Sequence, residues 1–448
     1  MKEKLKLFRY YLDRKYNYKF KSRDALEKFQ KDKFNEHIKY VIEKSVFYRE
    51  YYKGYNINNL SSLPCIDKKI MMENFDSLNT VGLNKDECFE VAFKAENSRD
   101  FSPMINGNII GLSSGTSGNR GLFIISEEDK SKWTGTILAK ALKESILRKQ
   151  KVAFFLRANS NLYESVKSNH IKFEFFDLLL PLQEHVKRLN EYKPTFLVAP
   201  PSMLILLAKE IEGYKLKISP KIIYSVAEIL EDKDKEYLEK VFNKKIHQIY
   251  QATEGFLGIT CEYGNLHLNE DFVIFEREYI DEKRFYPIIT DFERKTQPII
   301  RYKLNDILIE KKEKCPCGSV NTCIEKVEGR SDDIFKFINK KEEEVTIFPD
   351  FIRRAIISSS EEIISYQALQ ESLTDVEIYI EIDEKVDMEL IQENIRLSLD
   401  LLFEKYHIEK INITFRDTLV FLQGNKLRRI SSKVLYIEEK LDMQNVFQ

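Results

Sequence analysis

From residue 151 to residue 250, short apolar runs alternate with segments of helical period, and this alternation constrains the fold most. "KVAFFL" and "KFEFF" are followed by the helical "LQEHVKRLNEY". The buried-type strand "TFLVA" precedes the helical "SMLILLAKEI". "KIIYSV", "DKDKEYLEKVF" and "KIHQIY" repeat the cycle. Strands separated by helices of about ten residues argue for a largely parallel α/β sheet. After about residue 260 the helices drop out, and "NLHLN", "FVIFER", "PIIRYKL" and "DILIEK" read as successive strands. Near residue 329 the pattern changes again. "DVEIYIEI", "MELIQENIRLSLDLLFEKY" and "KINITF" read strand, helix, strand. The expectation is an α/β protein. Residues 1–328 form a large part of several subdomains, with α/β layers and a β-rich subdomain at about 259–328. Residues 329–448 form a small α+β domain. Two helices are predicted outside the repeat, over 23–49 and over 128–148.

The 448 residues carry 71 Lys and Arg against 72 Asp and Glu, so no basic excess points to nucleic acid. No run of 18 apolar residues occurs. The most apolar stretch, "TFLVAPPSMLILLA", is broken by Pro200–Pro201. The N-terminus "MKEKLKLFRYYLDRKYNYKF" is basic but has no apolar core like that of a signal peptide. Six cysteines in a chain this long do not make a disulfide scaffold. A soluble cytoplasmic protein is expected.

Of 15 glycines, four fall between Gly111 and Gly121 in "IGLSSGTSGNRG", threaded with Ser113, Ser114, Thr116 and Ser117. Glycine lets a ligand approach the backbone, and hydroxyl side chains add donors. Such a loop suits an anion, most often phosphate; the plainer alternative is a flexible turn. The stretch fails the pattern of kinase-type phosphate loops, which end in Gly-Lys-Ser/Thr. In "YQATEGFLG" (250–258), Thr253 and Glu254 follow a strand, at the edge where open α/β sheets bind ligands. A carboxylate there can hold Mg²⁺ beside a triphosphate, or simply be surface. In "PIIRYKLND" (298–306), Arg301 and Asp306 flank a strand. The acid suits ribose hydroxyls, and the alternative is a strand-end ion pair. "EGRSDDIF" (328–335) suits a polar hinge or an ordinary turn. "LQGNKLRRISSK" (422–433) puts Lys426 after a glycine turn, where most lysines are solvated.

The order of these five motifs resembles the adenylate-forming superfamily of acyl-CoA synthetases and adenylation domains. Within it, the chain is similar to the phenylacetate–CoA ligase branch and the clade of synthetases that adenylylate a deazaflavin coenzyme. "LPCIDK" (63–68), "FFLRANSNLYESV" (154–166), "LVAPPSMLILLA" (197–208), "SVAEIL" (225–230) and "TDFERKTQPIIRYKLND" (290–306) carry that second likeness. The resemblance implies that a carboxylate and ATP give an acyl-adenylate and pyrophosphate. An aromatic or other compact acid is the implied substrate. The acyl group then passes to coenzyme A or to an acyl carrier protein. It further implies that Ser113, Ser114, Gly115, Thr116, Ser117, Gly118 and Arg120 hold the β- and γ-phosphates. Thr253 would bind the α-phosphate and Glu254 would hold Mg²⁺. Ala227 and Glu228 would bind the nucleotide, Tyr250 would lie along the adenine, Asp306 would take the ribose with support from Arg330, and Lys426 would approach the reacting oxygens. Asp332 would be the hinge on which a mobile C-terminal lid turns. Two departures stand out: the loop ends "NRG" where many relatives have Pro-Lys-Gly, and "GNK" replaces Ser-Gly-Lys. Two other readings stay open. One is a nucleotidyltransferase that adds AMP to a phenolic or hydroxyl group; the other is a non-catalytic relative that binds nucleotide.

"CEYGNLH" and "CPCGS" offer Cys261, His267, Cys315 and Cys317 as four ligands for a structural zinc, with Cys323 in reserve. The alternative is a set of reduced, partly buried thiols. Cys65 and Cys88 read as structural. His37, His170, His185, His247 and His407 receive no role. "KFEFFDLLLP" (172–181) could line an acyl pocket, though most of it reads as core.

Overall fold

The computed structural model describes residues 2–113, 120–142, 144–156, 158–330, 333–360, 362–382, 386–416 and 428–434. Ser114, Gly115, Thr116, Ser117, Gly118, Asp332 and Lys426 lie outside these described residues. The chain divides into two compact units. The first is Met1–Leu304 with Leu308–Lys326, and the second is Asn305–Ile307 with Val327–Gln448.

In the first unit, β1 (Met104–Ile105), β2 (Asn108–Leu112) and β3 (Leu122–Ile125) form a small antiparallel sheet around the glycine-rich stretch. Gly111 pairs with Phe123 across β2 and β3, and a Cβ on it would fall 2.1 Å from the Phe123 ring, which lies over the glycine. The alternating segment forms β4 (Gln150–Leu156), β5 (Ile171–Asp177), β6 (Phe196–Ala199), β7 (Ile222–Ser225) and β8 (Ile246–Ala252). They lie parallel in the order β5-β4-β6-β7-β8. Helices Leu182–Tyr192, Pro201–Glu212 and Asp232–Phe242 connect them, as the periodicity requires. Phe155, Phe176, Leu189, Leu197, Leu204, Leu207, Ile223 and Leu238 make one core between these strands and helices.

β9 (Gly255–Thr260) turns back antiparallel on β8. β10 (Leu266–Leu268), β11 (Val273–Tyr279), β12 (Arg284–Asp291), β13 (Ile299–Lys303), β14 (Asp306–Glu310) and β15 (Cys323–Arg330) follow. The β-rich run does not stand apart. Through the β8–β9 hairpin it continues the parallel strands into a single sheet of 12.

Two helix ends differ from expectation. The segment 23–49 divides at Ser45, which closes helix Arg23–Lys44 and caps helix Val46–Tyr51 by accepting from the Tyr48 N–H. The helix expected over 128–148 spans Glu127–Ala141. Its C-terminal carbonyls at Ala139 and Leu142 receive the Lys15 ammonium at 3.3 and 2.7 Å. A distant cation therefore takes the part of a C-cap.

The second unit contains the hairpin β16 (Phe335–Ile338) and β17 (Glu344–Ile347). It also contains a four-stranded sheet of β18 (Ile363–Gln370), β19 (Asp375–Ile382), β20 (Asn412–Arg416) and β21 (Ile430–Ser432), ordered β20-β19-β18-β21. Helix Met388–Lys405 buries Ile391, Ile395, Leu399 and Phe403, spaced at the helical period, in one core with Ile378, Ile413 and Ile430.

Candidate functional site

β8 ends at Ala252, so Thr253 and Glu254 form the tight turn into β9 at the end of the parallel strands. Glu254 is partly buried, and its Oε1 accepts the Tyr302 hydroxyl at 2.9 Å. Among the described residues, none donates a hydrogen bond to its Oε2.

The turn is held from behind. Arg294 donates to the carbonyls of both Thr253 and Glu254 at 2.9 Å, and its second terminal nitrogen donates to Gln297 Oε1 at 2.9 Å. Gln297, fully buried, accepts from the Ile124 N–H at 3.0 Å and donates to the Leu122 carbonyl at 3.2 Å. Leu122 and Ile124 belong to β3, the strand leaving the glycine-rich stretch. A two-residue relay thus ties the Thr-Glu turn to that strand. Burial lowers the Arg294 pKa. Asp291, whose Oδ1 accepts the backbone N–H groups of Glu293 and Arg294, is pushed up to about 6 by burial. Sequence reasoning assigned no role to Asp291, Arg294, Gln297 or Tyr302. All four fall in the quoted stretch 290–306, but only the folded chain brings Arg294 and Tyr302 onto the turn, with Asp291 and Gln297 behind Arg294.

At the neck of the loop, Ser113 Oγ accepts from the Gly121 N–H at 2.7 Å, and the Ser113 N–H donates to the Gly121 carbonyl at 2.7 Å. The Arg120 guanidinium is bidentate on Glu96 and also donates to the Ser113 carbonyl. As placed, it braces the loop neck. The Lys68 side chain also passes here: its Cε is 3.2 Å from where a Cβ on Gly121 would stand.

Tyr250 is buried in β8 opposite Gly258. Ala227, just past β7, has a φ of 69°. A non-glycine residue adopts such a backbone only uncommonly. Glu228 accepts from the Ser202 N–H at 3.2 Å, in the first turn of helix Pro201–Glu212. Arg301 does not flank its strand but sits within β13 at a φ of 46°. It is bidentate on Glu276 at 2.9 Å for both bonds, which is the ion-pair alternative.

In the second unit, Arg330 Nε lies 3.5 Å from Asp306 Oδ1. Asp333, beside the expected hinge, is buried. Its Oδ2 accepts the Arg330 N–H at 3.0 Å and its Oδ1 accepts the Arg428 guanidinium. Burial raises its pKa against the pull of Arg428.

The donor atoms of Cys261, His267, Cys315 and Cys317 all lie within 4.8 Å of one another. Cys261 Sγ is 3.7 Å from Cys315 Sγ, and Cys317 Sγ is 3.4 Å from His267 Nε2. Zn–S bonds of about 2.3 Å set a tetrahedral S···S edge of about 3.8 Å, so the sulfur spacing fits zinc. His267 Nδ1 is 3.1 Å from the Asn321 carbonyl, which fixes the proton there and leaves Nε2 to ligate. Burial raises the Cys315 thiol, but hydrogen bonds from the Cys317 N–H, His267 and Asn265 outweigh it and lower it, while burial and the neighbouring thiols raise Cys317. Cys323, across from His267 on β15, is buried outside this group.

No family model matches the chain. Protein CapK of Staphylococcus aureus is 24% identical over 406 residues, covering 86% of each chain. Among solved structures, 2-hydroxyisobutyryl-CoA ligase in its postadenylation state with 2-HIB-AMP superposes with a TM-score of 0.71. It is 15% identical, over 96% of this chain and 94% of the ligase. A benzoate CoA ligase from Burkholderia xenovorans gives 0.52 at 14% identity, over 73% of this chain and 69% of its own. An acyl acid amido synthetase gives 0.58 at 14% identity, over 87% and 85%. The chain shares its fold with these acid–CoA ligases and this amido synthetase. Among the described residues no helix is long and apolar enough to cross a membrane.

Proposed function

We propose that the chain is an adenylate-forming ligase that activates a carboxylic acid with ATP. The observation that carries this reading is the Arg294–Gln297 relay, which ties the Thr253–Glu254 turn to the strand leaving the glycine-rich stretch. A loop for the triphosphate and a carboxylate for its cation need such a fixed relation. The folds matched above, with acid–CoA ligase names, support the reaction class.

In this reading the carboxylate oxygen attacks the α-phosphorus, and the bond to the bridging oxygen of pyrophosphate breaks. The chain's part is placement and charge. Ser113, Ser114, Gly115, Thr116, Ser117 and Gly118 bind the β- and γ-phosphates. Arg120, paired with Glu96, supplies a cation at the loop neck, and the Lys68 side chain lies beside it. Thr253 binds the α-phosphate. Glu254, with Oε1 fixed by Tyr302, would hold Mg²⁺, which would supply positive charge to offset that of the triphosphate. Ala227 and Glu228 bind the nucleotide, and Tyr250 lies along the adenine. Asp306 takes the ribose hydroxyls, Arg330 steadies it, and Lys426 approaches the reacting oxygens. Asp332 is the hinge. The acceptor is a thiol, of coenzyme A or a carrier protein, and the acid is aromatic or compact. Cys261, His267, Cys315 and Cys317 hold a structural zinc away from these steps.

The test is acid-dependent ATP–pyrophosphate exchange over aryl and alkyl acids, with Glu254→Gln as control. Exchange with one acid class, lost in the control, bears the proposal out. ATP binding without exchange for any acid refutes it and favours AMP transfer to a hydroxyl.

A further inference from the structure

The basic N-terminus has no part in the chemistry above. Residues 1–21 carry eight Lys and Arg against two Asp and Glu, in a chain of formal net charge −1. The structure makes them helix Lys2–Leu12, extended by a wider turn over Asp13–Asn17. One face of the helix is docked. A Cβ on Gly135 would meet Tyr10 Cβ at 2.7 Å and the Tyr11 nitrogen at 2.9 Å, so its backbone lies directly on helix Glu127–Ala141. Arg14 turns inward to Asp271 and Glu293, and Lys15 caps the helix end at Ala139 and Leu142.

The opposite face is also apolar. Leu5, Phe8 and Leu12 follow at i, i+3 and i+7, and Tyr16 continues the stripe. Leu5 is 70% exposed, Phe8 44% and Tyr16 63%. A docked surface helix ordinarily turns a polar face to water. Here Leu5, Phe8 and Leu12 line an open groove of about 460 Å³ with Lys6 and Arg9. Lys6, Arg9, Lys19 and Lys21 are all exposed around it. The neighbouring loop, whose Ile146 backbone hydrogen-bonds Tyr11, adds Leu147 at 68% exposure with Arg148 and Lys149 exposed beside it. Among the described side chains, the acids facing this region are Asp13, 3.9 Å from Arg9, and Glu144, 3.2 Å from Arg148. Cations remain in excess.

We propose that this face is a docking surface for an anionic lipid membrane. The helix lies in the plane of the interface, with Leu5, Phe8, Leu12 and Tyr16 at the headgroup–acyl boundary and the surrounding lysines and arginines among the phosphates. Apolar side chains ringed by cations match a surface that is greasy beneath and negative above. The attachment is peripheral and reversible, because one short helix buries too little apolar area for permanent anchoring.

The experiment is co-sedimentation of the full chain with vesicles of phosphatidylcholine alone and of phosphatidylcholine with phosphatidylglycerol, across a salt series. Binding is expected only to the vesicles with phosphatidylglycerol, weakening as salt rises. Leu5→Glu with Phe8→Glu should reduce it by about tenfold or more, with an unchanged circular dichroism spectrum and unchanged ATP–pyrophosphate exchange. Lys6→Glu with Arg9→Glu should flatten the salt dependence. Equal binding to both vesicle types, or binding untouched by Leu5→Glu/Phe8→Glu, overturns the proposal. So does a doubled solution mass that this variant abolishes without any vesicle binding, since the face would then seat a second copy. None of the vesicle-binding or solution-mass outcomes depends on whether the acid-activation reading stands.

Discussion

Replacing Arg294 by lysine keeps a cation behind the Thr253–Glu254 turn but removes the planar fork. Three acceptors meet that fork, each at 2.9 Å: the carbonyls of Thr253 and Glu254, and Gln297 Oε1. A lysine ammonium on its flexible stem can serve one of them well, so two bonds are lost. A hydrogen bond to a charged group contributes about 1.5–3 kcal/mol. The partial burial of Arg294 argues for the low end, which gives about 3 kcal/mol in all. Part of this falls on the folded state as a whole, and part on the turn's fit to the transition state. If half reaches the barrier, exchange falls by about tenfold, and if all of it does, by about a hundredfold. The assay is ATP–pyrophosphate exchange at saturating acid, titrated with both ATP and Mg²⁺, because a loosened Glu254 should also demand more Mg²⁺. Gln297→Leu breaks the same relay one step further on, so the double variant should cost less than the two singles summed. An Arg294→Lys protein that is folded and exchanges within about twofold of the parent would refute the idea that the relay fixes the turn.

Lys68→Ala should raise the KM for ATP severalfold with a smaller change in kcat, since its charge would act on bound triphosphate throughout; an unchanged KM removes Lys68 from the loop's cations. Chelation should release about one zinc per chain and lower the melting temperature, and Cys317→Ser should mimic it; an unchanged melting curve with no metal by elemental analysis removes the site. Asp291 gives a pH test. Its folded pKa of about 6 lies above the ordinary carboxylate value. The folded state therefore holds the proton where the unfolded state has lost it, and stability falls as pH rises from about 4 to about 6. Asp291→Asn, which keeps an acceptor oxygen for the Glu293 and Arg294 N–H groups, should gain on the parent across that window, by up to about 3 kcal/mol at neutral pH. A stability difference flat in pH would show that Asp291 does not titrate there.

The sequence by itself determined the local elements. The switch between strand-like and helical period from Lys151 to Tyr250 fixes β4 to β8 and their three crossover helices, because each periodicity depends only on neighbours along the chain. The same is true of the glycine-rich stretch and of the position of Glu254 past a strand. The cysteines and histidine could be named from their types, but their convergence waited on the pairing of β9, β10 and β15. Tertiary structure alone decided the rest. It joined the β-rich run to the parallel strands, ended helix Glu127–Ala141 with Lys15 from more than a hundred residues away, committed Arg120 to Glu96, and aimed Arg294 and Tyr302 at a turn some 40 to 48 residues earlier. The physical reason is one of range. Periodicity is set by bonds between near neighbours and is written along the chain. A guanidinium takes whichever acceptors the folded chain brings within about 3 Å, and that choice is made in three dimensions.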